Sequence, residues 1–134
     1  MAPFARKVSV NDEQIVAAGW DDVLRSLPEL KRSPDPCISV GDEDDEVWLV
    51  TYFVDGLGYY VSGCGTGDGD YYTLVDPEGS AGNVVAWFAG DEGTYQKNSF
   101  VTEQLMLEAL QCLFDKGERK PTLAWELASV VQKD

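Results

Sequence analysis

The sequence predicts an α+β domain: a mostly antiparallel β-sheet meander with one long C-terminal helix and a short N-terminal helix packed on it. Three observations lead to this fold class. Short apolar runs separated by turn residues fill the middle of the chain. Helical spacing of apolar residues occurs only towards the two ends. The length of 134 residues, with neither an internal repeat nor a linker, indicates a single domain over 1–134.

The N-terminal part of the chain is expected to contain two short strands and the short helix. KVSV at 7–10 and CISV at 37–40 have the length and composition of strands. Between them, apolar residues recur on one helical face from Trp20 to Leu27. Pro28 follows at once, and we expect it to end the helix.

The segment VWLVTYFV, 47–54, is the clearest strand in the chain. Side chains alternate between two faces along a strand, and both faces are mostly apolar here. We therefore expect a central strand that is covered on one face and partly on the other. The segments that follow alternate between turn and strand: DGLG (turn), YYVSGCG (strand), TGDGD (turn), YYTLV (strand), DPEG (type I turn), NVVAWFAG (strand) and DEGTYQKNS (loop).

Helical periodicity starts at Thr102. In TEQLMLEALQCLFDKG the apolar residues form one stripe, and acidic and amide residues cover the rest of the surface. Thr102 is the predicted N-cap and Gly117 the predicted C-terminal stop. The segment TLAWEL, 122–127, is interpreted as a short closing strand or turn. Five large apolar side chains are assigned to the core: Trp48, Trp87, Leu110, Phe114 and Trp125.

Acidic residues dominate the charge of the chain, with 24 Asp and Glu against 10 Lys and Arg and a net charge of −14. The span from Ser33 to Gln96 contains 13 of the acids and no Lys or Arg. Nucleic acid is not expected as a ligand, because its binding requires basic side chains that displace counterions. No apolar run approaches the length of a membrane span and the N-terminus lacks a signal-peptide core, so we expect a cytoplasmic protein without membrane contact.

The residue types for common catalytic centres are missing. The chain has no histidine, which removes Ser–His–Asp and Cys–His catalysis and His-containing zinc sites. The three cysteines, Cys37, Cys64 and Cys112, are far apart and are interpreted as small buried hydrophobes in a reducing compartment. We therefore expect none of these catalytic centres and no cofactor. A non-standard calcium site at Asp68–Asp70 and a carboxylate or metal-dependent enzyme remain as alternatives.

The acidic run GDEDDE, 41–46, can be a solvated loop, a metal site or a surface for a positively charged partner. Tyrosines are interleaved with the acids of the same span. Such a surface suits a basic protein partner, because aromatic rings supply contact area and carboxylates pair with Arg and Lys. The predicted partner-binding residues are Asp42, Glu43, Asp44, Asp45, Glu46, Asp55, Asp68, Asp70, Tyr71, Tyr72, Asp91, Glu92 and Tyr95.

Two stretches of the chain resemble a known family. In NSFVTEQLMLEALQCLFDKGERKPTLAWEL, a valine leads into a helix with Ala and Phe on its inner face, and a GER-containing turn and a tryptophan follow. VWLVTYFVDGLGYYVSGCG resembles the central strand pair of the same family, immunity protein family one of bacterial polymorphic toxin systems. The chain departs from the family's turn by an extra Lys120, and residues 1–40 match only loosely. The motif positions are Val101, Ala109, Phe114 and Trp125.

The resemblance implies an immunity protein that is not an enzyme. Members of this family bind one cognate toxin domain one-to-one and cover its active site, and they commonly accompany deaminase-fold toxins, including cytosine deaminases that act on DNA. Such a deaminase needs a basic surface around its pocket, and an acidic protein would imitate the charge of its substrate. The alternative is an acidic adaptor or DNA-mimic protein whose basic partner is not a toxin.

Overall fold

A computed structural model describes residues 7–11, 13–15, 19–34, 36–41, 48–64, 72–88, 90–118 and 120–127. Within these ranges the fold is α+β, and every strand pairing is antiparallel. The elements are, in chain order, β1 (Lys7–Val10), β2 (Glu13–Ile15), α1 (Trp20–Leu30), β3 (Cys37–Gly41), β4 (Trp48–Val54), β5 (Gly58–Cys64), β6 (Tyr72–Val75), β7 (Asn83–Phe88), β8 (Asp91–Gln96), a 3₁₀ turn (Lys97–Ser99), α2 (Glu103–Lys116) and β9 (Ala124–Leu127).

Three layers make up the fold. The middle layer is a seven-stranded sheet in the order β2-β1-β3-β4-β5-β6-β9. Both helices pack on one face of this sheet, and the two-stranded hairpin of β7 and β8 packs on the other face, against β4. Neither helix in the described ranges has the length and apolar character needed to cross a membrane.

The main core lies between the helices and the sheet. Alternate residues of the strands face the helices, and the apolar stripe of α2 covers them. Burying each such side chain is worth about 1.5–3 kcal/mol, so this layer is the main source of stability. Its largest fully buried members are Phe114, Leu30, Ile38, Leu49, Leu74, Met106, Leu110 and Leu113.

A second, smaller core lies between the sheet and the hairpin. Phe88 of β7 is 5.2 Å from the ring of Tyr52 and 5.1 Å from that of Tyr60, centroid to centroid. Tyr95 of β8 lies 4.9 Å from Phe88 and 6.0 Å from Phe100. These tilted and edge-on contacts are the arrangements that aromatic pairs prefer, so the hairpin is held to β4 and β5 by an aromatic cluster.

Several sequence predictions are confirmed. Strand β4 is central, with Leu49 in the main core and Tyr52 in the second core. Thr102 caps α2, because its Oγ1 accepts a hydrogen bond from the N–H of Leu105 at 3.3 Å. Gly117 ends the helix in the left-handed conformation, at φ 75°. The predicted DPEG turn is present, because the N–H of Gly79 donates to the carbonyl of Asp76 at 2.9 Å. The closing segment forms strand β9.

The prediction that Pro28 ends the first helix is wrong. Helix α1 has 11 residues and continues to Leu30, with Pro28 inside it. A proline costs the helix one hydrogen bond, but Leu30 is 1% exposed in the main core, and its burial stabilises the last turn. Helix α2 has 14 residues, so the C-terminal helix is the longer one, but the two helices are not clearly one long and one short.

The prediction of a loop over 91–99 is wrong for most of that segment. It forms β8 and the 3₁₀ turn, although DEGTYQ lacks an apolar alternation. Pairing with β7 satisfies its backbone, and the ring of Tyr95 anchors it in the second core. The assignment of Trp87 to the core is also wrong, because this side chain is 64% exposed. Alternation along β7 turns Ala86 and Phe88 inward and Trp87 outward.

Candidate partner-binding surface

Two acidic segments of the predicted site connect neighbouring strands at one end of the sheet. Gly41, the last residue of β3, pairs with Trp48, and Trp48 pairs with Cys64, the last residue of β5. Strands β3 and β5 therefore finish at the same end of the sheet. Gly63 pairs with Tyr72, at the start of β6. Eight predicted residues belong to these connections and lie outside the described residues: Asp42, Glu43, Asp44, Asp45, Glu46, Asp68, Asp70 and Tyr71.

Asp55 lies at the opposite end of β4. It is exposed in the tight turn after that strand, where the N–H of Leu57 donates to the carbonyl of Val54 at 3.0 Å. Strand β4 has seven residues, which corresponds to about 20 Å at ~3.3 Å per residue. The structure therefore separates Asp55 from the strand ends that flank the two acidic connections.

The other predicted residues occupy three different environments. Tyr72 is half-buried and lies on the helix side of the sheet, on the same face as Leu74. Tyr95 is half-buried and its ring belongs to the aromatic cluster under the hairpin. Glu92 is exposed, while only the backbone of Asp91 is described.

A surface that the sequence did not predict lies on the outward side of the β7–β8 hairpin. We call it the hairpin outer face. Register pairs Val85 with Thr94 and Trp87 with Glu92, so these side chains share one face. Val85 is 60% and Trp87 64% exposed. All the members of the face are exposed: Asn83, Val85, Trp87, Glu92, Thr94 and Gln96.

Trp87 also borders a cleft that brings it near a predicted site residue. The cleft has a volume of about 310 Å³ and is lined by Pro34, Pro36, Val54, Asp55 and Trp87, among others. Its walls are of mixed polarity, because Lys31, Ser33 and Asp55 line it together with the apolar residues. Asp55, Trp87 and its cross-strand neighbour Glu92 thus form one group of exposed side chains at the turn end of β4.

Lys31 lines the same cleft, and neighbouring groups partly compensate its charge. Its Nζ lies 4.8 Å from the ring centroid of Phe53 and 5.8 Å from that of Tyr59. A carboxylate oxygen of Glu103 is 3.9 Å away. A cation over aromatic faces and beside a carboxylate is partly compensated, so Lys31 adds less positive charge to the cleft than an isolated lysine would.

Basic residues of the flanks pair with acids of the flanks. Besides the Lys31 pair, Arg32 contacts Glu29 at 2.7 Å and Lys120 contacts Glu108 at 3.2 Å. Arg25 pairs with Asp22 in the same way. The flanks hold 11 acids and all 10 bases, so nearly all the net charge of −14 belongs to 33–96. The charge imbalance is therefore concentrated in β3 to β8 and their connections.

Two further side chains have shifted pKa values. Burial, the hydrogen bond to Glu103 at 2.8 Å and the charge of that carboxylate all raise the pKa of Tyr59. Burial also raises the pKa of Cys112, in a groove at the end of α2. A protonated thiol is a weak nucleophile, so the raised pKa lowers the reactivity of Cys112 at neutral pH. In the parts of the chain that the structure describes, no three His, Cys, Asp or Glu side chains form a group that could hold a metal ion.

Comparison with known proteins adds no relative. No protein-family model matches the chain, and a search of curated proteins found no significantly similar sequence. The resemblance to immunity protein family one therefore stays a prediction that rests on the two stretches 47–65 and 98–127.

Proposed function

We propose that the chain is an immunity protein that binds a cognate toxin domain one-to-one and inhibits it. The partner is a basic protein, with a nucleic-acid deaminase as the toxin class that the family resemblance implies. Inhibition consists of covering the basic surface around the toxin's active site with acidic side chains. The protein acts in the cytoplasm and performs no catalysis itself.

The segregation of charge is the observation that carries this proposal. The span 33–96 contains 13 acids without a base, whereas Arg25, Lys31, Arg32 and Lys120 of the flanks pair with flank acids. A domain gains no folding stability from such a distribution, because like charges repel in the compact state. A field of one sign instead accelerates encounter with a partner of opposite charge.

The first experiment is a calorimetric titration of the chain with a catalytically inactive form of the toxin domain encoded by the neighbouring gene. We expect one-to-one binding with a dissociation constant of about 1 nM or below, weakened when NaCl rises from 0.05 to 0.5 M. Absence of binding at both salt concentrations would overturn the proposal and favour an adaptor or DNA-mimic protein with another basic partner.

Charge reversal tests which acids steer the encounter. The variant with Asp42→Lys, Asp44→Lys and Asp45→Lys should associate more slowly and lose part of the salt dependence of the association rate. The matched control carries Asp21→Lys, Asp115→Lys and Glu118→Lys, which change the net charge equally at exposed positions of the helices and the loop after α2. Equal association rates for the two triple variants would show that the total charge, and not the 42–46 run, steers binding.

A further inference from the structure

The hairpin outer face has the greatest apolar exposure among the described residues. Trp87 and Val85 are 64% and 60% exposed, and the next large apolar side chain, Leu24 on α1, is 37% exposed. Tryptophan is enriched among the residues that dominate binding energy at protein interfaces, because its burial removes a large apolar area from water. An indole left this exposed on a strand therefore marks a surface suited to a partner.

The strand that carries this face is held by ring packing and by backbone pairing. Phe88, between Trp87 and the sheet, contacts Tyr52 and Tyr60 on one side and Phe100 at 6.2 Å on another. The backbone of β7 pairs with β8 over six residues. Backbone that is already paired needs less ordering on binding than a loop would, which reduces the entropy cost of burying the indole.

Charge indicates what the face binds. Glu92 lies across the hairpin from Trp87, and Asp55 lies beside Trp87 in the cleft. A second copy of the chain would bring two molecules of net charge −14 together, with Glu92 at the centre of contact. Nucleic acids and membrane surfaces are anionic and are repelled in the same way. A basic protein surface is complementary to this arrangement.

We propose that the hairpin outer face is a docking surface for a basic protein, with Trp87 as the apolar anchor. The indole inserts into an apolar pocket of the partner, and Asp55 and Glu92 pair with Arg or Lys side chains at its rim. The inference rests on the proposed function, in which that partner is the toxin domain. It adds an anchor near the turn end of β4, away from the strand ends that flank the acidic connections.

The two parts of such an interface have different kinetic effects. Exposed charges act over a distance and change mainly the association rate, whereas a buried anchor changes mainly the dissociation rate. Trp87→Ala should therefore raise the dissociation rate by about tenfold or more and leave the association rate nearly unchanged. The charge reversal in the 42–46 run should have the opposite effect, because it lowers mainly the association rate.

The test measures both rates by surface plasmon resonance with the inactive toxin domain as the probe. Leu24→Ala is the matched control, because it removes an exposed apolar side chain from α1 on the other side of the sheet. Both variants should keep the thermal midpoint of the wild type, since neither side chain is in a core. A dissociation rate raised only by Trp87→Ala supports the docking surface.

Acrylamide quenching gives a second measurement that uses the conservative variant Trp87→Phe, in which an aromatic ring of similar character is retained. The chain has four tryptophans, and the difference between wild type and Trp87→Phe isolates the emission of Trp87. Trp87 should be quenched efficiently in the free protein and protected in the complex. Protection of Trp87 only at high concentrations of the chain alone, with dimers seen by sedimentation, would identify a second copy as the occupant and overturn the proposal.

The outcomes separate the two proposals. If the wild type binds the toxin domain and Trp87→Ala dissociates at the wild-type rate, the docking surface is wrong and the proposed function stands. If the wild type does not bind the toxin domain at all, the proposed function is overturned, and the inference about Trp87 is overturned with it.

Discussion

Tyr59 shows how single residues connect the layers of this protein. It is 3% exposed on β5, its N–H donates to the carbonyl of Val101 at 2.9 Å, and its hydroxyl donates to Glu103 at the start of α2. The same ring lies 5.0 Å from Phe53 and beneath Lys31. One side chain thus ties the centre of the sheet to the segment that leads into the helix.

The stability of the fold should fall at alkaline pH because of Tyr59. Burial and Glu103 raise its pKa in the folded state above the value of about 10 that it has in the unfolded chain. Above pH ~10 the unfolded chain therefore releases a proton that the native state retains, and the free energy of unfolding decreases by up to about 1.4 kcal/mol per pH unit. Below pH ~10 this contribution is fully present.

Urea denaturation between pH 8 and 11 measures the effect. Tyr59→Phe should show a shallower alkaline decline than the wild type, at a cost near neutral pH of about 1 kcal/mol for the lost hydrogen bond. Tyr60→Phe leaves the Tyr59–Glu103 pair intact and is expected to retain the decline. The same slope in wild type and Tyr59→Phe would contradict the assignment.

Among the elements, the β7–β8 hairpin stands apart from the seven-stranded sheet. It forms its own two-stranded sheet and packs on the seven-stranded sheet mainly through the second core, within the residues that the structure describes. Its inner residues Ala86 and Phe88 are 5% exposed, while its outer residues are open to solvent. The hairpin therefore depends on side-chain packing, and its outward side is available for binding.

Substitutions on the two sides of β7 should have very different effects. Phe88→Ala removes the centre of the aromatic cluster and should destabilise the hairpin by about 3–5 kcal/mol. Val85→Ala, on the outward side of the same strand, should change stability by no more than about 0.5 kcal/mol. The free energies of unfolding from denaturant titration measure both effects.

Hydrogen exchange tells whether the hairpin opens as a unit. In Phe88→Ala the amides of β7 and β8 should exchange much faster, while those of β4 and β5 keep most of their protection. Uniformly faster exchange in both sheets would show that the hairpin is part of the same cooperative unit as the main core.

The whole molecule has a large net negative charge, and this should give salt two opposite effects. Screening reduces the repulsion within a chain of net charge −14, so NaCl should raise the thermal midpoint while it weakens partner binding. An increase of about 1 kcal/mol in the free energy of unfolding corresponds to a rise of roughly 3–5 °C in the thermal midpoint for a domain of this size. Differential scanning calorimetry from 0.02 to 0.5 M NaCl measures the rise.

A neutralised variant serves as the control for this salt effect. With Asp42→Asn, Asp44→Asn and Asp45→Asn, the chain carries less charge and the rise with NaCl should be smaller. A midpoint that is insensitive to NaCl in the wild type would show that self-repulsion does not limit the stability of the fold.

The sequence by itself determined most elements of the fold. Alternation and turn residues predicted β1, β3 to β7 and β9, and the apolar stripe with its caps predicted α2 from Thr102 to Gly117. These signals are local: a turn needs its own glycine or proline, and a helix needs its own stripe and cap. The segregation of charge is likewise a property of the sequence.

Only the tertiary structure decided which face of each element is buried. Both faces of the strand NVVAWF carry apolar residues, so the two-residue alternation of the sequence does not show that Phe88 points inward and Trp87 outward. Strand β8 has no alternation and exists because β7 pairs with it, and α1 continues past Pro28 because Leu30 is buried. The grouping of Asp55 with Trp87 comes from the packing of the hairpin on β4, a contact between residues distant in sequence that no local pattern encodes.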